Sequence, residues 1–462
     1  MRCRKPLAWS VMTLLGLAAS AHAQPARLLP PTDAAPMAEA GVVRVVGAPP
    51  AKEAPPAKGG VPTTKDAPPT GAPVSGALGC CPSNTCGSGC GASGCGACGC
   101  EKWGPTLPEN VNLFGRSECS PWRVYGWVDV GYTYSSSDPG IMTVETRENR
   151  FSREFLVNQV ATVLEKPLKG DDFNWGFKAL FYAGADAALL RPRGGFTTTD
   201  PRFGADFREL YVSAHLPILT EGGMDVKAGR MGTIIGYESA MAPYRPFYSN
   251  DYQWFYAQDG AFTGVLTNLH VNKQLDWWNG ITWGANTFFT LRGDAPCYIT
   301  QLNYWTTEEK KTLLSASFYV GNQAIFTAPN FATGNCIYNL ELRVEHQWNC
   351  HLTQIVQSDM GWETNMPGLG TGSWYSLYTI LVYQMSPKLD LNFRTEWFDD
   401  CQGTRTGFAR NYYETTLGID YHPVKALRLR PEVRGDFADG PVFNNGRDRN
   451  QLTIGLEALF QF

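Results

Sequence analysis

Seven cysteines fall within 21 residues: Cys80, Cys81, Cys86, Cys90, Cys95, Cys98 and Cys100, separated mainly by Gly and Ser. Thiolates at the spacing of Cys95 and Cys98 suit a metal ion, but one C-x2-C pair in a Cys-rich run is a weak metal signal. Disulfides, either internal or to other Cys-rich envelope proteins, fit an oxidising compartment better. A low-complexity spacer with heterogeneously paired thiols is the plain alternative. The odd number leaves one sulfur for an outside partner.

A second set of residues carries charge rather than nucleophiles. Arg428, Arg430, Glu432, Arg434 and Asp436 recur at every second position, as do Arg394 and Glu396, and Glu341, Arg343 and Glu345. Such charges either pair with one another across neighbouring strands or set a field across a water-filled passage. Hydrolase chemistry needs His beside Ser or Asp at the outer rim. His215, His270, His346, His351 and His422 instead fall beside short connections, on the opposite side. The run Gly368-Leu369-Gly370-Thr371-Gly372 lacks the strand-loop-helix context of a phosphate loop. No catalytic residue, metal or cofactor is expected, and the chain is not read as an enzyme.

The elements that must position these charges are strands. Leu452, Ile454, Leu456, Ala458, Phe460 and Phe462 alternate with Gln451, Thr453, Gly455, Glu457 and Gln461, with Leu459 the one exception. The same period of two runs through Leu427–Phe437, Leu389–Trp397, Leu340–Trp348 and Phe173–Tyr182. One face of each is apolar and the other polar. These runs exceed the five or six residues, roughly, of an ordinary strand and match one tilted across a bilayer. Trp348, Trp397, Tyr421, Phe437 and Phe460 lie near the ends of the apolar faces, where membrane interfaces gather aromatics. The predicted fold is therefore all-β, an antiparallel transmembrane β-barrel.

Sixteen strands are expected: 122–134, 155–166, 173–184, 206–216, 224–234, 261–271, 277–290, 297–305, 312–321, 337–348, 351–362, 374–384, 389–399, 411–422, 426–437 and 451–462. Segments 297–305 and 374–384 alternate poorly, which keeps fourteen or eighteen open. Connections alternate short and long, as in outer-membrane barrels with short periplasmic turns and both chain ends inside. An Arg on the lipid face costs about 2–4 kcal/mol at the midplane, so the charged faces must line the lumen. A barrel of this size is too wide for wall side chains to fill, which implies an aqueous channel.

Residues Leu113–Phe462 resemble the putative β-barrel porin-2, OmpL-like family of bacterial outer-membrane proteins. The likeness rests on Asp225-Val226-Lys227-Ala228-Gly229-Arg230-Met231, Gly236-Tyr237-Glu238-Ser239, Phe247-Tyr248-Ser249, Gly126-Trp127-Val128-Asp129 and the terminal Phe462. It implies a porin-like protein and defines no substrate. Segment 235–260, the longest insertion between strands, then corresponds to the loop that in porins of this size commonly folds inward. Glu238, Tyr244, Arg245 and Asp251 would form a constriction there; a surface loop over the barrel mouth is the competing reading. Phe462 is the expected C-terminal assembly signal for the barrel-assembly machinery.

The rest of the chain frames this barrel. Arg2, Arg4 and Lys5, the apolar Leu7–Leu17 and Ala21-His22-Ala23 read as a signal peptide, 1–23. Residues 24–79 are Pro/Ala-rich and cannot bury a core, so a disordered linker is expected before the Cys/Gly-rich 80–110 and the barrel, 111–462. With 39 basic and 43 acidic residues there is no basic footprint for nucleic acid. Cys297 and Cys336 fall on neighbouring outer loops and are expected to bridge. The partners implied are outer-membrane lipid, small hydrophilic solutes and other Cys-rich envelope proteins, with a homo-oligomer open. A structural envelope barrel with a closed lumen, linked through its Cys-rich segment, is the alternative to a porin.

Overall fold

The computed structural model describes residues 121–137, 151–196, 200–258, 260–293, 295–322, 335–366 and 368–462. The expected signal peptide and linker, and Cys80, Cys81, Cys86, Cys90, Cys95, Cys98 and Cys100, lie outside the described residues.

Sixteen strands follow in chain order: β1 Arg123–Ser135, β2 Glu154–Lys166, β3 Asn174–Gly184, β4 Gly204–Leu216, β5 Met224–Gly232, β6 Ala261–His270, β7 Leu275–Ala285 and β8 Cys297–Trp305 in the first half. The second half holds β9 Thr312–Asn322, β10 Cys336–Gln347, β11 Leu352–Met366, β12 Gly370–Ser386, β13 Leu389–Asp400, β14 Arg410–Val424, β15 Leu427–Ala438 and β16 Asn450–Gln461. Each strand pairs antiparallel with its neighbours, and β1 closes on β16 to complete a barrel. Closure satisfies every strand edge, the condition for a sheet bathed in hydrocarbon. Among the described residues no helix is long and apolar enough to cross a membrane.

Period two decides which side chains meet lipid. On β16, Leu452, Ile454, Leu456 and Phe460 are exposed on the outside while Gln451, Thr453, Glu457 and Gln461 are buried inside. Leu459 obeys the same parity: it is buried on the lumen side, so its apolar character and not its direction was the exception. Trp348, Tyr421 and Phe437 stand exposed on the outer face.

Two boundaries differ from the alternation. β7 stops at Ala285 because Gly284 and Asn286 adopt positive φ (107° and 48°), which ends the ladder and lengthens the connection that follows. β11 and β12 instead run on past the expected 362 and 374, pairing out to Met366 and Gly370 around a turn where Gly368 and Gly370 have positive φ. Most of the expected 363–373 loop is thus strand. A five-residue helix, α1 (Ala185–Leu189), follows β3 and is buried except at one position.

Candidate functional site

The site is the barrel interior. Every predicted wall charge points there and is buried: Glu341, Arg343 and Glu345 on β10, Arg394 and Glu396 on β13, and Arg428, Arg430, Glu432, Arg434 and Asp436 on β15. They do not stand in open water. Between β5 and β6 the chain turns inward, and from Thr233 to Gln258 nearly every residue is buried within the barrel. Pro243 and Pro246 restrict φ along this stretch, and single helical turns at Ala242–Tyr244 and Gln253–Ala257 shorten it enough to fit.

The wall charges hold the backbone of this inward segment. Glu432 accepts the N–H groups of Tyr248 (3.0 Å) and Ser249 (3.1 Å). Glu396 accepts those of Tyr252 and Gln253, each at 2.6 Å. Guanidinium groups take the carbonyls: Arg428 that of Pro243 (2.6 Å), Arg430 that of Ala242 (2.9 Å), Arg394 that of Ser249 (2.9 Å) and Arg434 that of Asn250 (2.6 Å). Arg343 reaches the Gly236 carbonyl in the same way. A segment crossing a lumen has no sheet to satisfy its backbone, so the walls must supply the partners. Pairing between strands coexists with this grip, as in Arg394 with Glu414 at 2.5 Å and Arg428 with Asp420.

Packing completes the seat. Phe247 lies against Ile355, Tyr378 and Ile380, with Val382 beside them. These lumen-facing apolar residues are why 374–384 alternates poorly in sequence. A Cβ on Gly418 would stand 2.9 Å from the Phe247 ring, and one on Gly455 2.9 Å from the Tyr248 ring. Gly131 leaves room for the Tyr248 hydroxyl in the same way. Wall glycines thus form cradles for the segment's aromatic side chains.

The four residues singled out on this segment have distinct places. Glu238 pairs with Arg394 (2.6 Å) and accepts the Asp251 N–H (3.0 Å). Arg245 meets Glu457 (3.2 Å) and Asp129 (3.3 Å), with Asp186 of α1 at 3.9 Å. Asp251 accepts the Trp254 N–H, and burial, reinforced by Glu238 and Glu396, raises its carboxyl well above the usual range. Tyr244 is half-buried, edge-on to Trp127 with ring centroids 6.5 Å apart.

Sequence reading missed Asp129, Asp186, Asp359, Glu414 and Glu457 as partners. Asp129, Asp359, Glu414 and Glu457 sit at lumen parity, which alternation within 123–135, 352–366, 410–424 and 450–461 carries; Asp186 rides on a helix that no period-two rule finds. His215 and His270 do gather two carboxylates at the short-turn end, Asp225 and Asp276, at 2.7 and 2.8 Å respectively. Asp390, Asp420 and His422 come within metal-ligating reach of one another, although residues 390 and 420 are far apart in sequence. Arg428 already engages Asp420 there.

The chain forms a closed sixteen-strand barrel with an inward segment after β5, and a family model for putative beta-barrel porin-2, OmpL-like, matches residues 121–462. The chain belongs to that family. It is an outer-membrane β-barrel porin. No curated protein matches it. Its fold is similar to the outer membrane channel DcaP of Acinetobacter baumannii (TM-score 0.52, 13% identity, covering 74% of this chain and 97% of that one). It is also similar to an anion-selective porin from Comamonas acidovorans (0.51, 11%, 74% and 99%) and to OmpF of Salmonella typhi (0.50, 10%, 74% and 97%).

The predicted Cys297–Cys336 bridge of this porin is not formed. Cys336 is a free thiol. Tyr298 pairs with Val320 and Cys336 with Asn322, which puts Cys297 level with Ile337, one residue away from Cys336 and on the opposite face. Cys297 points inward, buried beside Gly321. Cys350, in the turn between β10 and β11, is disulfide-bonded. The terminal Phe462 exchanges backbone bonds with Gly126 (2.8 and 3.0 Å), and its ring lies over that glycine.

Proposed function

We propose that this porin passes small hydrophilic solutes and ions passively, through a lumen narrowed by its own 233–260 segment. One observation supports this most: wall carboxylates and guanidiniums bond to the segment's backbone along its length, so its place in the lumen is built rather than incidental. Glu238, Tyr244, Arg245 and Asp251 then act as constriction residues. The wall charges act as its mounts rather than as a free pore lining. No catalytic role is assigned. Phe462 serves as the recognition end for barrel assembly.

Single-channel conductance in planar bilayers tests the reading. Removing 241–252 should raise the current several-fold, and an unchanged current refutes the constriction. A closed structural barrel is the second reading, favoured by lumen side chains such as Glu341, Arg394 and Glu457 having no exposed surface. Liposome swelling separates the two: flux of small sugars supports the porin, and none supports the structural barrel.

A further inference from the structure

Cys350 is disulfide-bonded, and the barrel restricts where its partner can be. The residue is half-buried in the turn between β10 and β11. Asn349 stiffens that turn by accepting the N–H groups of His351 (2.8 Å) and Leu352 (3.0 Å), and Trp348 donates to the Leu352 carbonyl (3.0 Å). Among the described residues the other cysteines are Cys297, Cys336 and Cys401. The first two open β8 and β10 and the third follows β13, which puts all three at the opposite end of the wall. The twelve residues of β10 separate that end from the turn by about 40 Å along the strand, whereas the Cα atoms of a disulfide stand about 6 Å apart. The partner therefore precedes β1 in the chain.

Strand order narrows the choice. In the ring of sixteen, β11 stands six positions from β1 and eight, the maximum, from β3. Strands about 4.8 Å apart and tilted by about 40° make such a ring about 30 Å across. The Trp122 ring centroid lies 6.1 Å from those of Trp175 and Phe177, so the chain enters β1 from the β3 side. Cys119, three residues before Trp122, reaches about 10 Å and falls short of Cys350. Cys3 lies in the expected signal peptide. What remains is the run of seven from Cys80 to Cys100, and even Cys100 has 22 residues, about 70 Å of extended chain, before Trp122. Pairing within a run of seven thiols always leaves one over, and Cys350 supplies the eighth.

We propose that Cys350 is bonded to a cysteine of the 80–100 run, and that the stretch from this bond to β1 straps the inner mouth of the barrel. Two thiols lose two protons and two electrons in forming the bond; a disulfide-bearing oxidant of the envelope accepts them and becomes a dithiol. Because the two anchorage points face each other across the opening, the strap holds the amino-terminal extension at the mouth. The bond does not depend on solute flux, so its test is separate from that of the porin reading.

The full-length porin, alkylated before denaturation and digested with trypsin without reductant, provides the test. Trypsin yields 344–388, whose one cysteine is Cys350, 66–102, which carries the whole run, and 117–123, which carries Cys119. Peptide 344–388 should be recovered joined to 66–102, and the pair should separate on reduction. Recovery of 344–388 joined to 117–123, joined to a peptide of another protein, or alkylated at Cys350 overturns the proposal. So does a boiled, unreduced sample that migrates as a covalent oligomer, which places the bond between copies of the chain. Brief trypsin treatment of the folded porin, cutting after Lys102, should leave 66–102 attached in wild type and release it from Cys350→Ala, with heat-modifiable migration verifying that the variant folds. Equal release from both overturns the strap.

Discussion

Replacing Glu396 and Glu432 together by Gln should loosen the inward segment without disturbing the barrel. The two carboxylates accept the backbone N–H groups of Tyr248, Ser249, Tyr252 and Gln253, all buried. A hydrogen bond to a charged group contributes about 1.5–3 kcal/mol and a neutral one about 0.5–1.5, so a contact kept by the Gln oxygen loses about 1 kcal/mol, while Glu396, which accepts through both oxygens, loses one contact outright to the amide NH2. Over these four contacts the docked state weakens by about 4 kcal/mol or more, a rise of more than a hundredfold, roughly, in the undocked population. Chymotrypsin, which cuts after exposed aromatics, should then cleave near Tyr248 or Trp254 much faster in the variant. Single-channel records should show frequent large openings. Glu309→Gln, on an exposed turn, serves as the control. If cleavage and current both match wild type, the carboxylates do not hold the segment and the reasoning fails.

Gly126→Val should weaken barrel closure by about 1–3 kcal/mol or more, since a Cβ there meets the Ala161 carbonyl and lies 2.8 Å from the Phe462 ring; the melting of the heat-modifiable band measures it. The raised carboxyl of Asp251 makes docking of the segment pH-dependent. Its docked pKa lies above the undocked value near 3.8, so its contribution is fully present below that pH and is lost as pH rises toward the docked value. The Asp251 share of the pH dependence, read as wild type against Asp251→Asn with Glu396 and Glu432 present in both, should therefore make openings rarer as the solution is acidified. Alkylation without reductant should modify Cys336 in the folded porin and yield no peptide joining Cys297 to Cys336.

Strand number, order and facing were legible without coordinates because hydrocarbon and lumen impose opposite demands at every second residue. The face of Arg428, Arg430 and Arg434 follows from that alone, as does the burial of Glu457 behind Leu456. Segment 374–384 reads poorly for a physical reason: where the wall meets protein instead of water, as Tyr378 and Ile380 do against Phe247, the lumen face turns apolar and the contrast fades. The Cys297–Cys336 pairing failed because proximity of two loops says nothing about parity, and the register puts the sulfurs on opposite faces.

The amino-acid pattern by itself determined a membrane-spanning barrel, since period two over spans this long satisfies both lipid and backbone in one way only. It did not determine what the charged faces touch. Glu396 and Glu432 grip a backbone about 140 and 180 residues earlier in the chain, a contact that depends on closure, whereas Asp359 faces Glu341 through the register of the β10–β11 hairpin. A hydrogen bond to a peptide group leaves no trace in the identity of the residue that supplies it. Only the folded chain decides whether a charge in a lumen looks at water, at an ion or at its own main chain.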